Sequence, residues 1–139
     1  MELLDLHGPA TRKTIAAMIE AVIAACVAVG ADHEVSYAVR LAVEEASLNI
    51  LNHGYCGQPG PIALRLLRDD EKIVVILTDS APSFTPDSLE QPDTTSDWQR
   101  REIGGYGWHL IRSMMDGVQH KETADGGNEL TLTKNLLRA

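Results

Sequence analysis

The spacing of apolar residues along the chain predicts two long helices in its first half. Residues 11–29 carry apolar side chains three and four positions apart, which is typical of an amphipathic helix. A second helix is predicted over residues 32–53, with Asp32 as its N-cap and Gly54 as its stop. The apolar stripe of this helix consists of Val39, Val43, Ala46 and Ile50.

Shorter apolar patterns predict strands and a third helix. The predicted strands are residues 2–7, 62–68, 73–78, 118–123 and 129–134. Residues 73–78 are almost continuously apolar, which indicates a central strand covered on both faces. A glycine-rich turn at 104–107 precedes a helix predicted from Trp108 to Met115. Strands linked by hairpins, with helices stacked on one face, predict an α+β protein built as a two-layer α/β sandwich.

The composition of the 139 residues is that of a globular protein, with 44% hydrophobic and 23% charged residues. No apolar run approaches the roughly 20 residues that cross a bilayer, and the acidic start lacks a basic signal region. We therefore expect a cytoplasmic protein, away from the membrane, with Cys26 and Cys56 as free thiols. The net charge of -8 argues against direct nucleic-acid binding and permits a basic protein partner.

A polar pattern interrupts the second helix. Glu45 and Asn49 are four residues apart, so they lie one turn above each other, on a stripe that Asn52 and His53 continue. Two interpretations are open at this point. The stripe is a solvated helix face, or Asn49 supplies an amide oxygen to Mg²⁺ while Glu45 accepts a proton one turn away.

Two further segments carry candidate chemistry. Asp79 ends the apolar strand and either begins a turn or accepts a hydrogen bond from the exocyclic amine of a ligand. Gly105 and Gly107 flank Tyr106 at the start of the third helix, where free N–H groups attract phosphate. An ordinary turn explains the glycines equally well, and no strand precedes them as a dinucleotide-binding fingerprint requires.

Taken together, these segments resemble the conserved boxes of the Bergerat-fold (GHKL) ATPases. The matching patterns are Glu45-x-x-x-Asn49, Asp79-Ser80-Ala81-Pro82 and Gly105-x-Gly107-x-x-Leu110. The run from Glu45 to Tyr55 is similar to that of the anti-sigma factor serine/threonine kinases. This resemblance implies a Bergerat fold with a mixed, mostly antiparallel sheet, one domain over residues 1–139 and an ATP lid at about residues 83–103.

The resemblance also implies a role for each site residue. Glu45 would be the catalytic base, Asn49 the Mg²⁺ ligand, and Asp79 the acceptor of the adenine amino group. The implied ATP-binding residues are Asn49, Asp79, Ala81, Gly105, Tyr106, Gly107 and Trp108. The implied reaction is phosphorylation of a serine or threonine on an anti-sigma factor antagonist, a STAS-type protein. The resemblance further implies a sigma factor as second partner and a homodimer.

Two departures from the family pattern keep an alternative open. Ala81 stands where the family has glycine, and Gly126-Gly127-Asn128 stands where the family reads Gly-Gly-Thr. These changes are compatible with a catalytically weak or inactive binding module that regulates a partner. The ATP-binding part of a histidine kinase is disfavoured because His7 lies in a predicted strand. A hydrolase is disfavoured because the chain has no Gly-x-Ser-x-Gly elbow.

Overall fold

The computed structural model describes residues 1–82 and 105–136. In these ranges five strands form one sheet, and the helices pack on one of its faces. The strands are β1 (Glu2–Pro9), β2 (Pro61–Asp69), β3 (Lys72–Asp79), β4 (Gly117–Glu122) and β5 (Asn128–Asn135). The helices are α1 (Arg12–Ala28), α2 (His33–Asn49) and α3 (Gly105–Met114), with a π-helical turn at Ile50–Gly54. The predicted two-layer α+β architecture is confirmed. The lid predicted at residues 83–103 lies outside the described residues.

The strand order across the sheet is β1-β2-β3-β5-β4. All four pairings between the described strands are antiparallel, so the expected mixed sheet is corrected to an antiparallel one. The reason lies in the last hairpin. β4 forms an edge of the sheet. The chain then turns back as β5, which lies between β4 and β3 and is antiparallel to both.

Both long helices begin at the residues that the sequence indicates. The Thr11 side chain accepts a hydrogen bond from the Thr14 N–H at 3.2 Å. The Asp32 carboxylate accepts one from the Val35 N–H at 2.8 Å, which confirms Asp32 as an N-cap. These caps satisfy backbone donors that have no partner inside the helix.

The end of the second helix differs from the prediction of one α-helix stopped by Gly54. After Asn49 the backbone widens into the π-helical turn, and the Tyr55 N–H donates to the Ile50 carbonyl at 2.8 Å. The left-handed residues that reverse the chain come later, at Cys56 (φ 55°) and Gly57 (φ 81°). The wider turn shifts the helical phase, so Asn52 leaves the stripe of Glu45 and Asn49 and is exposed.

The core lies between the helices and the inner face of the sheet. Ile73, Val75 and Leu77 of β3 are fully buried on that face. Val74 and Ile76 alternate with them and are only partly buried, so the expectation of a strand covered on both faces is wrong. The cause is that the helices of residues 1–82 and 105–136 form one layer, on the inner face of the sheet, and no described element covers the outer face. The predicted stripe of α2 is confirmed: Val39, Val43, Ala46 and Ile50 are all buried.

The prediction that both cysteines are free thiols is confirmed. Cys26 is buried, Cys56 is exposed, and both are free thiols. Among the helices of residues 1–82 and 105–136, none combines the length and the apolar character that a bilayer crossing requires.

Candidate functional site

A cavity of about 260 Å³ opens between α2, the π-helical turn, the end of β3, the start of β5 and the start of α3. Its polar lining consists of Asn49, His53, Asp79 and Asn128. Its apolar lining includes Ala46, Ile50, Ala81, Trp108 and Leu130. A mainly apolar cleft with a few convergent polar groups is the usual form of a small-molecule site.

Asp79 occupies the inner end of this cavity, at the last position of β3, and is 8% exposed. Its Oδ1 accepts hydrogen bonds from the Ala81 N–H and from Asn128 Nδ2, both at 2.9 Å. Desolvation raises the pKa of the Asp79 carboxyl, and the two hydrogen bonds and nearby His120 oppose that rise. Oδ2 accepts no hydrogen bond from the described residues, so it is the oxygen left for a ligand.

Asn128 links Asp79 to His120, a residue that the sequence did not single out. Besides Asp79, Asn128 Nδ2 donates to the carbonyls of Ala81 at 3.2 Å and Pro82 at 3.3 Å. Asn128 Oδ1 lies 2.7 Å from His120 Nε2. His120 and Asn128 are diagonal neighbours in the β4–β5 hairpin, because Asn128 pairs with Glu122. The hairpin register is therefore the signal that could have identified His120.

Ala81 fits the site because Gly54 faces it. Ala81 is 2% exposed, and a Cβ placed on Gly54 would lie 3.0 Å from the Ala81 methyl. The methyl group that replaces the family glycine therefore occupies space that Gly54 leaves open. A side chain at both positions would be crowded.

Gly107 brings α3 against the polar stripe of α2. A Cβ on Gly107 would lie 3.1 Å from Asn49 Nδ2 and 3.2 Å from Glu45 Oε2. Glu45 is partly buried there; desolvation raises the pKa of its carboxyl, and the charge of Glu44 raises it further. Asn49 lines the cavity, whereas Glu45 is not among the lining residues and lies beside Gly107.

One atom of the Asn49 amide is left over for a ligand by the described residues. Its Nδ2 is buried and has no hydrogen-bond partner among the described residues. The amide oxygen and nitrogen are interchangeable by a flip, so an oxygen can equally occupy that position. An amide oxygen without a donor suits a hard cation such as Mg²⁺. Residues 1–82 and 105–136 contain no cluster of three or more His, Cys, Asp or Glu that could hold a metal.

The remaining predicted residues lie in the first turns of α3. Trp108 is 2% exposed and lines the cavity. Gly105 and Tyr106 begin the helix, and the Tyr106 side chain is outside what the structure describes. Four predicted residues, Asn49, Asp79, Ala81 and Trp108, thus surround one cavity.

Tyr55 is a second residue whose position the sequence did not reveal. Its hydroxyl donates to the Pro61 carbonyl at 2.6 Å and accepts from the Ser80 N–H at 2.7 Å. Desolvation raises the pKa of this phenol. Tyr55 therefore ties the π-helical turn to the start of β2 and to the residue after Asp79.

Comparison with known proteins agrees with this geometry. The model of the histidine kinase-like ATPase domain family matches residues 8–134. The serine-protein kinase RsbW of Halalkalibacterium halodurans is 33% identical over 104 residues, which are 72% of this chain and 62% of that protein. RsbW of Listeria monocytogenes is 31% identical over 112 residues, which are 77% of this chain and 70% of that protein. The chain thus spans less than two thirds of the first relative's length.

Two solved structures share the fold. The RsbU and RsbW domains of a Mycobacterium tuberculosis protein match with a TM-score of 0.67 and 18% identity, over 98% of this chain and 33% of that one. The SiaB–SiaC complex of Pseudomonas aeruginosa matches with a TM-score of 0.64 and 18% identity, over 96% of this chain and 89% of that one. At these identities the likeness shows the fold alone.

The fold and the sequence matches together define the class: an ATPase domain of the histidine-kinase-like type. More narrowly, its sequence relatives include the serine-protein kinases named RsbW, which are 31–33% identical to this chain over the matched residues. The family and the fold expected from the three sequence boxes are confirmed.

Proposed function

We propose that this chain transfers the γ-phosphoryl group of Mg-ATP to a serine or threonine of a partner protein. The observation that carries the proposal is the close approach of Gly107 to both Glu45 and Asn49, beside a cavity that ends at Asp79. Three segments far apart in the sequence meet here: β3 supplies a base-recognition end, α2 supplies a metal ligand and a proton acceptor, and α3 approaches them closely at Gly107. Phosphoryl transfer needs this kind of positioning more than it needs covalent help.

The adenine end of the nucleotide would lie against Asp79. Its Oδ2, to which none of the described residues donates, is an acceptor for the exocyclic amino group of adenine. The apolar side chains of Ile50, Trp108 and Leu130 offer walls for a planar base. A donor group of a ligand can replace water at a buried carboxylate with little loss of hydrogen bonding.

The phosphates would lie toward the start of α3. The N–H groups and dipole of a helix N-terminus attract anions, and Gly107 presents no side chain to obstruct them. Asn49 would contribute an amide oxygen to Mg²⁺, which neutralises charge on the phosphates when bound. Gly105, Tyr106 and Gly107 would border a lid over residues 83–103, within a single domain that covers residues 1–139.

Glu45 would act as the general base. Its carboxylate would accept the proton of the substrate hydroxyl as the hydroxyl oxygen bonds to the γ-phosphorus. The bond from that phosphorus to the β,γ-bridging oxygen would break, and ADP would leave. A raised pKa brings the carboxyl closer to the operating pH, where general-base catalysis is most effective.

The proposed partners follow from the family. The phosphate acceptor would be a STAS-type anti-sigma factor antagonist, and the second partner a sigma factor, both met in the cytoplasm by a homodimer of this chain. The names of the RsbW relatives support a serine as the acceptor. The complex formed by SiaB with SiaC supports a protein partner for this fold. The net charge of -8 is suited to a basic partner surface.

The test is transfer of labelled phosphate from ATP to purified candidate antagonist proteins, followed by mapping of the phosphorylated residue. Glu45→Gln should lower the transfer rate about 10²- to 10⁴-fold while ATP binding persists. Asn49→Ala should remove the Mg²⁺-dependent part of ATP binding, and Asn52→Ala, an exposed neighbour, serves as its control. Full transfer by Glu45→Gln would refute the role of Glu45. ATP binding without transfer to any antagonist would favour the regulatory binding module.

A further inference from the structure

We propose that His120 is a positioning residue for base recognition: its Nε2–H holds Asn128 in the orientation that keeps Nδ2 hydrogen-bonded to Asp79 Oδ1, so that the carboxylate is fixed with Oδ2 presented to a 6-aminopurine. The inference rests on the proposed function, because it assumes that the base of the nucleotide lies against Asp79. It adds a specificity determinant, contributed by β4, that is not part of the three sequence boxes.

The first step concerns the orientation of the Asn128 amide. Its Nδ2 has three acceptors within hydrogen-bond distance, Asp79 Oδ1 and the carbonyls of Ala81 and Pro82. A flip of the amide would place Oδ1 against these three oxygens, and none of them has a proton to donate while Asp79 is ionised. The nitrogen must therefore face Asp79, and Oδ1 must face His120.

The second step fixes the tautomer of His120. Asn128 Oδ1 is only an acceptor, and it lies 2.7 Å from His120 Nε2. A hydrogen bond at this distance requires a proton on Nε2. His120 is thus a donor to Asn128 in either the Nε2–H neutral form or the doubly protonated form.

The third step links this donor to Asp79. With the Asn128 nitrogen and the Ala81 N–H both on Oδ1, the other oxygen of Asp79 remains an acceptor without a protein donor among the described residues. Such an oxygen favours the 6-amino group of adenine and repels the 6-oxo group of guanine. His120 therefore contributes to the choice of base without contacting it.

The pair also accounts for the departure from the family's Gly-Gly-Thr pattern. A threonine hydroxyl can rotate to donate or accept and needs no second residue to orient it. A carboxamide has a donor end and an acceptor end, so it needs a donor for its oxygen when its nitrogen faces Asp79. Asn128 and His120 act as one unit, and Asn128→Thr should make the identity of residue 120 unimportant for base choice.

The experiment compares ATP and GTP affinity, measured by calorimetry, across variants of His120. His120→Gln keeps an N–H donor at similar reach and should preserve the ATP-to-GTP preference within about twofold. His120→Leu removes the donor and should weaken ATP binding roughly three- to tenfold, with a smaller preference over GTP. His120→Glu presents an acceptor to Asn128 and should weaken ATP binding roughly ten- to hundredfold. Gln119→Glu adds the same charge at the exposed neighbour and should change neither value.

A second measurement does not depend on nucleotide. Nitrogen-15 NMR of the nucleotide-free protein should show His120 protonated at Nε2, and a neutral ring protonated only at Nδ1 overturns the proposal. Thermal unfolding checks that His120→Leu is folded. If the unmodified chain binds ATP and this folded variant keeps the full preference for ATP over GTP, the role of His120 is refuted and the proposed function stands. If the unmodified chain binds neither nucleotide, both proposals fall. In the Asn128→Thr background, His120→Leu should have no further effect, and a persisting effect counts against the pairing.

Discussion

The Tyr55 hydroxyl accepts a 2.7 Å hydrogen bond from the Ser80 N–H, and this contact joins two elements 25 residues apart. Ser80 directly follows Asp79, so the hydrogen bond helps to set where the end of β3 lies relative to the π-helical turn. The same hydroxyl donates to the Pro61 carbonyl at 2.6 Å. Tyr55 thereby ties down the residue that follows Asp79, although Tyr55 itself is not among the residues that line the cavity.

Tyr55→Phe should lower the free energy of unfolding by about 1 kcal/mol and weaken ATP binding. The variant keeps the ring and removes both hydrogen bonds, each of which is worth roughly 0.5–1.5 kcal/mol, and less where the bond is exposed to solvent. Urea denaturation and calorimetry measure the two effects. Tyr37→Phe is the matched control, because Tyr37 is 46% exposed on α2. Equal losses in the two variants would contradict a positioning role for Tyr55.

Gly107→Ala should separate stability from activity. Alanine favours a helix over glycine by up to about 1 kcal/mol, so the variant should unfold at an equal or higher temperature. The added methyl would press on Asn49 and Glu45 at 3.1–3.2 Å and displace them by a few tenths of an ångström. Phosphate transfer should fall roughly 10- to 100-fold, as expected for misplaced reacting groups. The exposed His109→Ala on the same helix is the control, and unimpaired transfer by Gly107→Ala would show that the close approach is unimportant.

Gly54 and Ala81 should behave as a coupled pair. Gly54→Ala crowds the Ala81 methyl at 3.0 Å and should cost about 1–3 kcal/mol of stability. Ala81→Gly relieves this contact, so the double variant should be more stable than the sum of the single changes predicts, by at least about 0.5 kcal/mol. Denaturant unfolding of all four proteins gives the coupling. Because the methyl faces Gly54, Ala81→Gly should not tighten ATP binding; a large gain would indicate that the methyl crowds the base.

Glu45→Gln should stabilise the fold at neutral pH even though we expect it to slow transfer strongly. Desolvation raises the pKa of Glu45 in the folded state, so folding is favoured while the group is protonated. This contribution of protonated Glu45 to the stability of the fold is fully present below the unfolded-state pKa of about 4.3, and it is lost as the pH rises through the folded-state pKa. The stability gain of Glu45→Gln should therefore appear near pH 7 and vanish at about pH 4. Glu122→Gln, on an exposed strand position, is the control for the charge change, and a gain that persists at low pH would contradict this origin.

Local features of the fold could be read from the sequence because they depend on neighbouring residues. Asp32 lies at a helix start that its own side chain caps, and the apolar spacing of α2 marks the buried stripe. The strand order could not be derived in this way, since it depends on pairings between segments far apart in the chain. The π-helical turn after Asn49 also has no local pattern, because tertiary contacts select it.

The same limit applies to the candidate site. The family boxes indicate Glu45, Asn49 and Asp79, because the chemistry of those residues is visible in their types and spacing. Tyr55 and His120 were missed because a tyrosine after a helix and a histidine in a strand are unremarkable residues until their partners are known. Their contacts arise only when the sheet and the hairpin are in register.

Asp79 and Asn128 face each other as the final cross-strand pair of the β3–β5 ladder. The spacing between them is therefore fixed by strand pairing, and lengthening or shortening the connecting segments would leave it unchanged. A single-residue insertion inside either strand would instead turn one of the two side chains to the opposite face. The connections of this chain can therefore change in length without moving the pair, whereas a residue gained or lost inside β3 or β5 would separate it.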